Sequence, residues 1–124
     1  MPRVNQRALA RFFRDAPRAA RIHAAIERAV DRIGPAFERV SKGQVAFRRR
    51  IGFAWTWLPR RYLGAQAATI VLSIGLRRRD GSSRWKEVVQ PASGRFVHHL
   101  ELARVSDVDA QGRAWLKEAW KLAA

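Results

Sequence analysis

The spacing of apolar residues changes period near residue 35, and this change limits the folds open to the chain more than any other feature. Between residues 22 and 33, Ile and Val recur three or four positions apart, which is the spacing of one helix face. Gly34 and Pro35 then supply a helix stop. Between residues 70 and 76 every second residue is Ile or Leu, which is the spacing of a strand. The chain therefore begins helical and continues as a sheet.

Short turns and the absence of helical spacing between the strands favour an antiparallel meander. We expect helices over residues 5–14, from Asp15 to about Ile33, and from a capping box at Ser106 and Asp109 onward. Strands are predicted over residues 37–40, 44–49, 51–57, 70–76, 84–89 and 96–102, with a hairpin-type turn at residues 80–83. The predicted fold class is α+β, with two N-terminal helices, an antiparallel sheet of 5–6 strands and a C-terminal helix packed on the sheet. We expect one domain over 1–124, helical over 1–34 and sheet plus helix over 35–124.

Composition adds a strong charge imbalance to this fold. Lys plus Arg number 25 against 10 Asp plus Glu, a formal net charge of +15 over 124 residues. Between Lys42 and Arg79 there is no acidic residue. A field of this kind attracts anionic partners such as nucleic acid.

Other compositional features exclude several classes of protein. There is no cysteine, which excludes disulfides and thiolate chemistry and fits a cytoplasmic location. The longest uncharged run, residues 62–76, is shorter than the roughly 20 residues that a membrane helix needs, so we expect no membrane span.

Two long segments resemble a known family. They are "SKGQVAFRRRIGFAWTWLP" and "IVLSIGLRRRDGSSRWKEVVQPASGRFVHHLEL", followed by a helix. The aromatic strand, the "RWKEV" segment and the "HHLEL" strand resemble those of the bacterial domain of unknown function 5655 family, over about residues 34–122. The resemblance implies a small α+β fold without an established activity, and it treats the N-terminal helices as an extension. Similar domains occur at the ends of larger bacterial proteins, some of them with restriction-type nuclease regions.

Arginine clusters are the main candidate for a binding site. They stand at predicted strand ends and turns, where antiparallel strands bring ends together. The planar guanidinium fork suits phosphate oxygens. The alternative is that rim charges keep sheet edges from pairing with other chains. The candidate residues are Arg48, Arg49, Arg50, Arg60, Arg61, Arg77, Arg78, Arg79, Arg84 and Lys86.

The second predicted helix carries a basic stripe of its own. At 100° per residue, four arginines fall within an arc of about 80°, whereas Glu27 and Asp31 lie outside it. A phosphate-tracking helix and an ordinary solvated face both fit this pattern. The stripe consists of Arg18, Arg21, Arg28 and Arg32.

A possible ligand pocket involves His98, His99, Trp85 and Tyr62. Neighbouring residues on a strand face opposite sides, so the two histidines do not readily chelate one metal. His98 shares its face with Leu100 and is expected in the core, while His99 is expected to interact with Glu101. We find no metal-ligand spacing, catalytic constellation or cofactor motif, so we expect no metal, no cofactor and no enzymatic activity.

The sequence thus favours a non-enzymatic module that binds DNA, RNA or another polyanion through arginine clusters. A structural module that docks on an acidic protein is the alternative, and a small-ligand site around His98 and His99 is the third hypothesis. No feature of the sequence indicates an oligomeric state.

Overall fold

The computed structural model describes residues 4–60 and 68–124. Three α-helices lie within these ranges: α1 (Gln6–Phe12), α2 (Pro17–Ile33) and α3 (Ala110–Leu122). The strands are β1 (Phe37–Val40), β2 (Val45–Arg48), β3 (Gly52–Trp57), β4 (Ile70–Leu76), β5 (Glu87–Ala92) and β6 (Arg95–Leu102). A 3-10 turn, Val105–Asp107, precedes α3. The predicted α+β class and the antiparallel sheet are confirmed.

The six strands form one sheet in the order β1-β2-β3-β4-β6-β5, and every neighbouring pair is antiparallel. The meander runs in chain order through β4, and then β6 lies between β4 and β5. The turn expected at residues 80–83 therefore does not join two paired strands. Residues 77–86 instead run past β6 to reach β5 at the edge of the sheet, where Pro91 needs no ladder partner for its nitrogen.

One hydrophobic core joins the sheet to α2 and α3. The alternating residues of β4 place Ile70, Leu72 and Ile74 in the same buried cluster as Ile26 of α2 and Leu116 of α3. All five are essentially inaccessible to solvent. The apolar faces that the sequence spacing predicts for α2 and β4 therefore pack together in one core layer.

A register shift in β3 changes the faces that its aromatic residues occupy. The shift lies between Phe47 and Arg48 of β2 and leaves Phe53 without a cross-strand partner there. Phe53 is buried in the core cluster. Trp55 and Trp57 are half-buried and belong to the opposite face, because Trp55 pairs with Ser73. The alternating aromatic residues of β3 therefore do not all lie on the core face, because the two tryptophans lie on the other side of the sheet.

Two helix starts also differ from those expected. α2 has Ala16 rather than Asp15 at its N-cap, with no side-chain cap, and Pro17 occupies its first turn. At α3 the expected box from Ser106 to Asp109 does not form. Asp109 is itself the N-cap, and its carboxylate accepts a hydrogen bond from the Gly112 backbone N–H at 2.9 Å. None of the helices within residues 4–60 and 68–124 has the length and apolar character needed to cross a membrane.

Candidate functional site

Two arginine clusters lie at the same end of the sheet. Because β3 and β4 are antiparallel, Gly52 at the start of β3 and Leu76 at the end of β4 lie at one rim. Arg48–Arg50 directly precede β3, and Arg77–Arg79 directly follow β4. The C-terminus of α3 reaches this rim, where the Arg50 backbone N–H donates to the Ala123 carbonyl oxygen at 3.0 Å.

Much of the hydrogen-bonding capacity of these rim arginines is used inside the protein. Arg49 donates to the Trp120 carbonyl oxygen at 3.0 Å and lies over the Trp120 ring. Arg77 makes a longer contact of 3.4 Å to the Leu122 carbonyl oxygen. Arg78 holds both carboxylate oxygens of Glu118 at 2.9 Å and also binds Asp80. These contacts fix the rim to α3, where cations also suit the negative end of the helix dipole.

The remaining basic residues predicted to form the binding site differ in whether an acidic side chain of the protein binds them. Arg84 donates to both carboxylate oxygens of Asp109 at 3.0 Å, so it holds residues 77–86 to the start of α3. Lys86 and Arg60 are exposed. Arg61 and Tyr62 lie outside the described residues. The exposed arginines at the rim, to which the structure adds Arg95, are Arg48, Arg50, Arg77, Arg78 and Arg79.

The stripe on α2 has a different character. Arg18, Arg21, Arg28 and Arg32 are all exposed, and within the described ranges none of their guanidinium groups makes a hydrogen bond or ion pair. Over 14 residues at 1.5 Å rise, the stripe runs for about 21 Å along the helix. No described acidic side chain competes with an external anion for these cations.

Two shallow grooves extend this stripe beyond the helix. One is lined by Arg18, Arg21 and Arg104, and the other by Arg28, Arg32 and Arg113. Val105 of the 3-10 turn lines both grooves and is 42% exposed. We call the surface formed by Arg18, Arg21, Arg28, Arg32, Arg104 and Arg113 the α2 arginine surface. Arg104 and Arg113 were not predicted to belong to this surface, because only the fold brings them beside α2.

The proposed ligand pocket is divided between the two faces of the sheet. His98 is fully buried and lies 4.8 Å, centroid to centroid, from the Trp85 ring. Its Nε2 accepts a hydrogen bond from the Asp80 backbone N–H at 2.9 Å. His99 points to the other face, where its Nδ1 lies 2.7 Å from Ser73 Oγ, and the carboxylate that acts on it is that of its β5 partner Glu87 instead of Glu101. His98 and His99 therefore do not line one pocket.

The environment of each histidine disfavours the imidazolium form. Burial lowers the pKa of His98 below its usual value. Burial also lowers the pKa of His99, although the nearby Glu87 carboxylate opposes the shift. Both rings are thus neutral at pH 7 and add nothing to the positive field.

A third histidine forms a polar cluster inside the core, which the sequence analysis did not identify. His23 of α2 is 1% exposed, and its Nε2 lies 2.7 Å from Glu38 Oε2 and 3.7 Å from Glu27 Oε2. Its Nδ1 lies 2.9 Å from Thr56 Oγ1. The Phe13 and Phe47 rings flank the imidazole at 5.0 and 5.5 Å between centroids. We call His23, Glu27, Glu38 and Thr56 the His23 cluster.

Burial governs the protonation of this cluster. It lowers the pKa of His23 to about 4, against the opposing attraction of Glu27. It raises the pKa of Glu27 to about 7, helped by a hydrogen bond and repulsion from Glu38. Burial likewise raises the pKa of Glu38. A neutral His23 therefore donates one ring N–H and accepts at the other nitrogen.

One sequence signal could have revealed part of this cluster. His23 and Glu27 are four residues apart on a helix, so they are neighbours on its surface. In β1 the acidic Glu38 is buried, whereas its apolar neighbour Phe37 and the basic Arg39 are exposed. Residue type alone would predict that Phe37 is buried and Glu38 exposed. The prediction that the sequence holds no metal-ligand spacing did not take this His23–Glu27 pair into account.

Comparison with known proteins identifies the family. The model of the domain of unknown function family DUF5655 matches residues 10–123, nearly the whole chain. The chain belongs to this family. No curated protein and no solved structure matches it. Because the DUF5655 match begins at residue 10, α2 belongs to the family domain, which corrects the view that the N-terminal helices are an extension. The packing of Ile22 and Ile26 into the core gives the physical reason.

Proposed function

We propose that this DUF5655 domain binds nucleic acid through the α2 arginine surface, by contacts to the phosphate backbone. The observation that carries the proposal is a row of four exposed α2 arginines without internal partners among the described residues. The sheet-rim arginines are a weaker candidate because Arg49, Arg77 and Arg78 are engaged internally.

The length and chemistry of the surface suit a phosphate backbone. Duplex DNA advances 3.4 Å per base pair, so a stripe of about 21 Å faces roughly six base pairs. Guanidinium groups bind phosphate oxygens in a bidentate manner, which makes arginine well suited to such a row. The grooves beside α2 are shallow, and the apolar Val105 is their shared wall. Such a surface favours electrostatic binding over reading of base edges.

Salt dependence tests the proposal directly. Binding of a fluorescent 20-base-pair duplex is measured by anisotropy between 50 and 200 mM salt, alongside an RNA of equal length. Contacts to four to six phosphates give a slope of log K against log salt of about −3.6 to −5.4. Absence of binding at 50 mM salt, or a flat slope, contradicts the proposal.

Matched charge variants locate the surface. Arg21→Ala/Arg28→Ala removes two charges from the α2 arginine surface, and the slope should become shallower by about 1.8. Arg48→Ala/Arg79→Ala removes two exposed charges from the rim and serves as the control. If the slope becomes shallower by the same amount in both variants, binding depends on net charge and not on one surface. If it changes only in the control, the binding site is the sheet rim instead of the α2 arginine surface.

A further inference from the structure

The His23 cluster has the composition and geometry of a metal site. One imidazole nitrogen and two carboxylate groups offer ligand atoms that all lie within 4.8 Å of one another. We propose that His23, Glu27 and Glu38 bind one divalent transition-metal cation, such as Zn²⁺ or Mn²⁺, inside the domain. This proposal is independent of nucleic-acid binding.

The distances fit a coordination sphere after small side-chain movements. Zinc binds imidazole nitrogen and carboxylate oxygen at about 2.1 Å, so two ligands in a tetrahedral site lie about 3.4 Å apart. His23 Nε2 and Glu27 Oε2 are separated by 3.7 Å, close to this value. His23 Nε2 and Glu38 Oε2, now 2.7 Å apart, would need to separate by about 0.7 Å. Rotation of the Glu38 carboxylate provides such a movement.

Thr56 supplies the support that a ligating histidine usually has. In metal sites the ring nitrogen that does not bind the metal donates its hydrogen to an oxygen nearby. Thr56 Oγ1 lies 2.9 Å from His23 Nδ1, in position to accept that hydrogen. With the metal on Nε2, the ring proton would occupy Nδ1, and the Thr56 hydroxyl oxygen would accept it. The Phe13 and Phe47 rings pack against the imidazole, with their centroids 5.0 and 5.5 Å from its own.

Charge balance favours a cation at this position. Glu27 and Glu38 converge on His23, and neither carboxylate is paired with a Lys or Arg side chain within the described parts of the chain. Two carboxylates this close repel each other when both are ionised, and a divalent cation offsets the repulsion. The Glu27 side chain is 22% exposed, which leaves a route from solvent.

The ligand set selects a class of metal. Ca²⁺ and Mg²⁺ prefer oxygen ligands alone, whereas one imidazole with carboxylates suits Zn²⁺, Mn²⁺ or Fe²⁺. Three protein ligands leave at least one position for water, which would face the side of Glu27. The site therefore differs from the closed four-ligand sites of zinc fingers.

Calorimetric titration of ZnCl₂ and of MnCl₂ into chelator-stripped protein tests the proposal. We expect saturable binding of one ion per chain and a higher thermal midpoint. Glu27→Gln removes the most exposed ligand and should weaken binding by at least 10-fold, and Thr56→Val should weaken it by about 10–100-fold. Glu101→Gln, an exposed acid on β6 that faces away from α2, should bind as the parent does.

Imidazole ¹⁵N chemical shifts of the parent protein give a second readout that needs no variant. With Zn²⁺ we expect His23 to show a metal-bound Nε2 and a protonated Nδ1. Absence of one-to-one binding with either ion overturns the proposal, as does unchanged affinity in Glu27→Gln. Zinc shifts confined to His98 or His99 would also overturn it.

Discussion

The guanidinium group of Arg49 lies over the indole of Trp120, with its carbon 3.7 Å from the ring centroid. The same arginine donates a hydrogen bond to the carbonyl oxygen of Trp120 at 3.0 Å. The Trp120 indole N–H donates in turn to the Pro35 carbonyl oxygen at 2.9 Å. Two side chains thus tie the β2–β3 turn and the α2–β1 junction to the last turn of α3.

Replacing Arg49 should test the stability of this junction. Arg49→Lys keeps the charge but loses the planar stack, so we expect about 1 kcal/mol of destabilisation from the cation–π contact. Urea unfolding followed by circular dichroism measures the change. Arg48→Ala is the control. Arg48 is the exposed neighbour of Arg49, so its replacement should lower the free energy of unfolding by less than about 0.5 kcal/mol. Equal losses in the two variants would contradict a specific role for the stack.

Gly34 should be intolerant of a side chain for a steric reason. A Cβ at this position would overlap the indole of Trp120. We expect Gly34→Ala to destabilise the domain by about 1–3 kcal/mol, the usual cost of overpacking. Gly81→Ala is the matched control, because a Cβ there meets no atom within 4 Å. If thermal midpoints fall equally for both, overlap with Trp120 is not the cause.

The sequence predicted the core layer because period and burial agree there. Apolar spacing located the end of α2 at Ile33 and both ends of β4, since both elements bury one continuous apolar face. It did not predict the position of β6 between β4 and β5, which depends on long-range pairing. Trp85 shows why: its neighbours His98 and Trp115 come from distant parts of the chain. Strand β5 therefore begins at Glu87 rather than at residue 84.

A candidate site could be predicted from the sequence only where its residues are neighbours on a single helix or strand. The arginine stripe follows from helix geometry, and the structure places all four residues on the exposed side of α2. Arg104 and Arg113 join it through tertiary packing alone. The His23 cluster combines a helix, the edge strand β1 and the third strand, so residue spacing reveals only the His23–Glu27 part.

Asp109 should contribute to stability as the N-cap of α3. The Gly112 backbone N–H lowers the pKa of its carboxyl group, with further help from Arg84. A carboxyl whose pKa is lower in the folded than in the unfolded state stabilises the fold above its unfolded pKa, here about 4. That stabilisation is lost as pH falls through the folded pKa. We expect Asp109→Ala to cost about 1 kcal/mol at pH 7, measured by urea unfolding.

Asp109→Asn separates the hydrogen bond from the charge. Asparagine is also a good N-cap, so this variant should lose less stability than Asp109→Ala at pH 7. It lacks the titrating carboxyl, so the stability difference between wild type and Asp109→Asn should shrink below about pH 4. A difference that is constant from pH 7 to pH 2.5 would contradict the role of the charge.

Asp80 should control the packing of residues 77–86 against the core. Its carboxylate accepts hydrogen bonds from the Trp85 indole N–H at 2.8 Å and the Ser82 backbone N–H at 3.1 Å. Burial raises the pKa of this carboxyl, but the donors from Trp85, Ser82 and Arg78 outweigh it and leave the pKa lowered. Asp80→Ala therefore leaves the Trp85 indole N–H without its acceptor, and we expect about 1–3 kcal/mol of destabilisation.

Hydrogen exchange tests whether that loss is local. In Asp80→Ala the amides of residues 80–86 should exchange faster than the loss of global stability alone explains, whereas those of β4 should change only by that global loss. Trp85→Phe removes the donor rather than the acceptor and keeps a ring that packs on His98 and Trp115. Because this variant also lacks the hydrogen bond, the same amides should exchange faster. Arg79→Ala, an exposed neighbour, is the control. Uniform acceleration across the sheet would show that Asp80 supports the whole fold instead of this segment.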